Sequence, residues 1–141
     1  MKGLFFKAEW IQEIFKLTKS VELRNGNWYH RGLVALVQGG KVLGVVRLID
    51  SWKYNSVHAA WKDAALTGVR SKIILKELGG KTGELYGLKF GEVLKFKGGV
   101  KVKFTGSRKY VTFSEDELSA ITAAIKEARD QKVSLKTKEN L

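Results

Sequence analysis

Two valine-rich runs, Leu33 to Val37 and Val42 to Ile49, restrict the fold more than any other feature of the chain. Each is nearly continuous in apolar side chains, a pattern that a strand sustains only when both of its faces are covered. Between them, Gln38-Gly39-Gly40-Lys41 supplies the glycine pair that a tight reversal needs. The runs read as a hairpin at the middle of a sheet, so the remaining elements must provide its neighbours and its cover.

Upstream, Leu4-Phe5-Phe6 fits a first strand, and residues 9–17 place Trp10, Ile11, Ile14, Phe15 and Leu17 at helical spacing. The stretch Lys19-Ser20-Val21-Glu22-Leu23-Arg24 then turns to strand alternation. Ser20, Glu22 and Arg24 go to one face, Val21 and Leu23 to the other, and Lys19 sits at the junction. Asn25-Gly26 offers the positive backbone angles of a tight turn, and Asn27-Trp28-Tyr29-His30-Arg31-Gly32 reads as an aromatic and polar loop of the kind that contacts ligands. Beyond the hairpin, Asp50-Ser51 is expected to end the sheet and Trp52 to Thr67 to be helical. Val57, Trp61, Ala64 and Ala65 lie on its inner side, with His58 packed beside Trp61 and Gly68 as terminator. Ser71 to Leu78 reads as a short helix, although Ile73-Ile74-Leu75 fits a strand equally.

From Glu84 the pattern returns to strand: Leu85, Tyr86, Leu88 and Phe90, then Val93 to Lys97, a turn at Gly98-Gly99, and Val100 to Phe104. Leu94, Phe96, Val100, Val102 and Phe104 can face a core while Lys95, Lys97, Lys101 and Lys103 face out. Between Tyr86 and Thr112 those lysines, with Lys89, Arg108 and Lys109, make seven basic residues against the single acid Glu92, a basic stripe. Tyr110-Val111-Thr112-Phe113 reads as the last strand. Ser114-Glu115-Asp116-Glu117 is a capping box opening a C-terminal helix whose buried stripe is Leu118, Ile121, Thr122, Ile125 and Ala128. The periodicity ends at Gln131, so one domain over residues 1–131 and a flexible tail over 132–141 are expected.

Twenty-six basic against fourteen acidic residues leave a charge of +12, which favours polyanions, nucleic acid first among them. The chain has no cysteine and only His30 and His58, which excludes disulfides, thiolate zinc sites and cysteine nucleophiles; no metal and no cofactor is expected. No membrane span or signal peptide is indicated, so a cytoplasmic protein is the default. Gly79-Gly80-Lys81-Thr82-Gly83 ends like a phosphate loop, but Leu75 stands where its first glycine belongs, so the match is read as coincidence.

The helix leading to Lys19, the strand Lys19-Ser20-Val21-Glu22-Leu23-Arg24, the glycine-containing turn and the hairpin ending in Leu48-Ile49-Asp50 resemble the N-terminal half of ASCH domains. In that PUA-like family a lysine is followed by Glu-x-Arg on the next strand. Glu84-Leu85-Tyr86-Gly87-Leu88 is similar, more faintly, to a later strand of the family. The resemblance spans about residues 4–104, and its specific core is Lys-x-x-Glu-x-Arg. It implies an α+β fold, a partly open β-barrel flanked by helices, with a cleft lined by Lys19, Glu22 and Arg24. Relatives are generally thought to bind RNA, and some cleave RNA or hydrolyse the amide of an acetylated cytidine. The hydrolase branch pairs the lysine with a threonine and a distant glutamate; Glu22 stands where that threonine would fall, which counts against that role.

In such a cleft Arg24 can hold a phosphate as a two-pronged donor and Lys19 as a point charge, while Glu22 accepts from a base amino group or positions a water. The plain alternative is a solvated strand end in which Glu22 and Arg24 pair for well under about 1 kcal/mol. Trp28, Tyr29, Trp52, Tyr54 and Tyr86 lie near turns, and of these Trp28 and Tyr86 are the expected stacking residues. The nucleic-acid contacts expected are therefore Lys19, Glu22, Arg24, Trp28, Arg31, Tyr86, Lys95, Lys97, Lys101 and Lys103. Besides a protein-interaction adaptor whose charge is incidental, two readings stay open. One is a module binding RNA, or alternatively single-stranded DNA; the other is a ribonuclease or nucleoside amidohydrolase using Lys19 and Glu22. The sequence leaves the oligomeric state open.

Overall fold

A computed structural model describes residues 1–17, 19–103 and 110–139. The elements are β1 (Lys2–Phe5), α1 (Ala8–Phe15), β2 (Val21–Arg24), β3 (Gly32–Gln38), β4 (Lys41–Tyr54), α2 (Val57–Lys62), α3 (Ala64–Thr67), α4 (Lys72–Leu78), β5 (Leu85–Lys101) and α5 (Glu115–Glu139). The strands form one mixed sheet in the order β1-β3-β4-β5-β2. β1 runs parallel to β3, and β2 runs antiparallel to β5 with Glu22 opposite Leu88 and Arg24 opposite Tyr86. The hairpin turns as expected: Gly39 and Gly40 both take positive φ, 59° and 75°, which a side chain would resist.

The chain divides into two compact units, the first comprising residues 1–8, 33–46 and 93–141 and the second residues 9–32 and 47–92. The core of the first joins Ala35, Val37, Val42, Val45, Leu94, Phe96, Val111, Ile121 and Ile125. That of the second joins Leu23, Tyr54, Ala60, Val69, Leu75 and Leu85, with Trp10 and Trp52 against it. The capping box forms: Ser114 N–H donates to Glu117 Oε1 (2.9 Å) and Glu117 N–H to Ser114 Oγ (3.2 Å). Ser71 caps α4, accepting from Ile74 N–H, so Ile73-Ile74-Leu75 is helical.

Several expectations are corrected. β4 does not stop at Asp50-Ser51 but runs to Tyr54, because Trp52 and Tyr54 continue its strand pattern, and the helix begins only where Ser56 accepts from Ala59 N–H. Trp61 and His58, expected on the packed side, are exposed. Gly98-Gly99 is no turn: β5 continues through it to Lys101. The outward and inward residues keep one alternation across the glycines, which suits a continuous strand, whereas a two-residue hairpin would set Lys97 opposite Val100 on one face. Neither Asn25 nor Gly26 has positive φ; Leu17 (61°) takes that conformation instead. Residues 110–113 contribute only a bridge, Val111 to Gly3, rather than a strand. Thr122 faces out, its hydroxyl donating to Leu118 O, and Ala124 joins the buried stripe instead. Separately from these corrections, α5 is helical from Glu115 to Glu139. Phe104, Arg108 and Lys109 lie outside the described residues.

Candidate functional site

α1 ends through Leu17, and the chain turns so that Lys19 N–H donates back to Glu13 O (3.3 Å). Ser20 is then fixed from two sides, its N–H donating to Leu66 O (2.8 Å) and its carbonyl accepting from Phe90 N–H (2.9 Å). These bonds leave the Lys19 side chain only an inward path. It is 2% exposed, its ammonium donates to the carbonyl of Thr67 at the end of α3, and it lies 4.8 Å from the centroid of the Trp10 ring. A cation buried this way needs a counter-charge, and Glu22 Oε1 stands 3.5 Å away.

Glu22 is 6% exposed. Its Oε1 also accepts from Leu23 N–H (3.1 Å), while Oε2 stands 3.5 Å from an amino nitrogen of Arg24. The three expected side chains therefore meet, and they form a graded line: Lys19 interior, Glu22 nearly so, and the Arg24 side chain 31% exposed. Burial holds the Lys19 ammonium below the ordinary lysine range, opposed by the carboxylates of Glu22 and Glu13.

Tyr86 faces Arg24 across the β2–β5 ladder, where paired side chains stand on one face about 5 Å apart at Cβ. Its hydroxyl donates to Glu84 Oε2 (3.3 Å), and Glu84 Oε1 accepts from Lys53 (3.1 Å). Trp28 is half-buried with its ring edge-on to His30, whereas Tyr29 beside it is 83% exposed, making Tyr29 the more accessible ring of that loop. Arg31 is exposed, but its guanidinium donates to Trp28 O, His30 O and Ser51 Oγ and so ties the loop to β4. Trp52 lies over Gly87, where an added Cβ would meet the indole at 2.9 Å, and buried Tyr54 donates to Asp63 (2.7 Å). Lys95, Lys97, Lys101 and Lys103 are all exposed, and they belong to the first unit.

Two participants carried no sequence signal. Trp10 was legible only as an apolar helix position, and Thr67 contributes a backbone carbonyl, which any residue type possesses. Among the described residues no group of three or more His, Cys, Asp or Glu is placed to hold a metal, and no helix is long and apolar enough to cross a membrane.

No family model and no curated protein matches the sequence. Solved structures do match. The crystal structure of the ASCH protein from Zymomonas mobilis gives a TM-score of 0.69 at 11% identity, covering 86% of this chain and 93% of that one. Two single-residue variants of the same protein give 0.70 and 0.69, also at 11% identity, with 86% of this chain and 94% and 96% of theirs covered. Backbone arrangement is what such distant sequences share. With its mixed sheet, flanking helices and C-terminal helix, the chain has the α+β fold of that ASCH protein.

Proposed function

We propose that the protein binds nucleic acid, RNA first, through a nucleotide-sized site built on Lys19, Glu22 and Arg24, with Lys95, Lys97, Lys101 and Lys103 contacting phosphates. The observation that carries the reading is the line from Lys19 through Glu22 to Arg24, which anchors a half-exposed guanidinium beside Tyr86. Lys19 is too buried to touch a ligand directly; it holds Glu22, and Glu22 orients Arg24 toward a phosphate. Tyr86 offers an adjacent ring for a base. The likeness to ASCH domains and the charge of +12 point the same way.

The test is binding of a single-stranded RNA across a salt series, with the matching DNA in parallel. Arg24→Ala should weaken binding about fivefold to a hundredfold, and Gln at Lys95, Lys97, Lys101 and Lys103 should flatten the salt slope. Unchanged affinity in Arg24→Ala would sink the site; no RNA affinity at low salt would sink the function.

One observation favours the enzymatic reading: Glu22 is paired with Lys19, whose burial favours the neutral amine, so a proton can pass between the two while Glu22, the less enclosed, meets the substrate. Cleavage of RNA or release of acetate from an acetylated cytidine, abolished by Glu22→Gln, would establish it.

A further inference from the structure

Trp61 is the side chain that the packing of the second unit explains least. Burying an indole ranks among the largest apolar gains open to a fold, yet α2 buries Ala60 and leaves Trp61 39% exposed. The ring is nonetheless held in place. Its N–H donates to Arg70 O (3.1 Å), so the one polar atom of the indole is satisfied and its orientation set. His58, one turn earlier on α2, stacks on it at 28° with centroids 5.6 Å apart, and the ammonium of Lys72 stands 4.6 Å from the ring centroid.

We infer that His58, Trp61 and Lys72 form a second nucleic-acid contact, a platform on which an unpaired base stacks while neighbouring cations hold its phosphates. This rests on the RNA-binding reading and extends it to a surface outside the Arg24 site. Single-strand binders combine such aromatic faces with a cationic surround. Lys62, Arg70 and Lys76 are exposed nearby, against two local acids, Asp63, which accepts from Tyr54, and Glu77. The indole N–H is satisfied and its ring already carries His58 and Lys72, so a base extends the stack from the exposed His58 imidazole or replaces one of these two groups on the indole. Ile73 is exposed on α4 beside Lys72 and widens the apolar margin. The platform belongs to the same unit as Arg24, and Thr67, whose carbonyl holds Lys19, follows Trp61 by six positions in the chain.

The experiment measures affinity for an oligoadenylate and for an abasic ribose-phosphate chain of equal length, using wild type, Trp61→Ala, Trp61→Phe and Lys72→Gln. Trp61→Ala should weaken oligoadenylate binding about fivefold to a hundredfold and leave abasic-chain binding and the salt slope unchanged. Trp61→Phe should restore most of the loss, which also separates stacking from a folding defect. Lys72→Gln should lower the salt slope by about one phosphate contact. If Arg24→Ala weakens binding but Trp61→Ala does not, the platform is overturned while the Arg24 site stands. If wild type binds no RNA, both fall. Binding to phosphatidylserine vesicles that is lost in Trp61→Ala with RNA affinity intact would assign the surface to a membrane and overturn the inference.

Discussion

The two units solve opposite problems with similar amounts of chain. The first holds fourteen basic and six acidic residues, yet among the described residues its charges stay outside an apolar core. The second holds twelve and eight, a milder imbalance, yet among the described residues it is the one that buries charge, in Lys19 and Glu22. Surface charge costs a fold little and attracts a polyanion from a distance. Buried charge is expensive and weak evidence of stability, so the second unit is the one that gives up packing economy, and the site we propose there supplies the reason.

That contrast is sharpest when each interior is damaged. Glu22→Ala should cost on the order of 3–5 kcal/mol, because it strands the Lys19 ammonium without its carboxylate. Ile121→Ala, which opens a cavity in the first core, should cost about 2–5 kcal/mol. Urea unfolding measures both. The difference lies in repair and in function: Lys19→Met should recover much of the Glu22→Ala loss, whereas Ile121→Ala has no charge partner to remove and should leave RNA affinity unchanged. Equal loss of affinity in both variants would erase the distinction between the units.

Alkaline pH offers a second separation. The Lys19 ammonium is held below its ordinary range by burial, so between its folded value and the ordinary lysine value of about 10.4 the unfolded chain binds more protons, and stability rises with pH. One group contributes at most about 1.4 kcal/mol per pH unit. Tyr54 acts in the opposite sense: burial and its bond to Asp63 raise its pKa, so its contribution is present below about pH 10 and lost above. Below about pH 10, where Tyr54 does not yet contribute, chemical unfolding followed upward through the alkaline range therefore reports on the lysine. Wild type should gain stability relative to Lys19→Met as pH approaches about 10; parallel curves throughout would mean that burial does not lower the Lys19 pKa.

How much of this was legible follows the same division. In the first unit the Gly39-Gly40 hairpin and the capping box at Ser114 and Glu117 could be read directly, because local geometry fixes both. Lys95, Lys97, Lys101 and Lys103 were also correctly placed outward, since alternation is a local property, while the supposed turn at Gly98-Gly99 failed because two glycines are compatible with strand as well as turn. In the second unit the meeting of Lys19, Glu22 and Arg24 was legible through the family pattern. The depth of Lys19 was not, because it depends on the Trp10 ring and a backbone carbonyl contributed from elsewhere in the chain. Trp61 was misplaced for the converse reason: periodicity assigns a large aromatic to the core, and nothing local marks one that is left outside.

The smallest effects probe two glycines of β5, one in each unit. At Gly87 an added Cβ would meet the indole of Trp52 at 2.9 Å, an overpacking that Gly87→Ala should convert into a loss of about 1–3 kcal/mol. At Gly99 the difficulty is the backbone, with φ of 70°, while the nearest atoms, Leu43 Cδ2 at 3.3 Å and Val42 O at 3.4 Å, are less crowded. Gly99→Ala should cost about 1 kcal/mol. Asparagine discriminates between the two causes, since it tolerates left-handed backbone but adds bulk. Gly99→Asn should therefore unfold at a higher urea concentration than Gly99→Ala, and Gly87→Asn at a lower one than Gly87→Ala. The opposite order at Gly99 would show that crowding by Leu43, rather than backbone conformation, demands a glycine inside that strand.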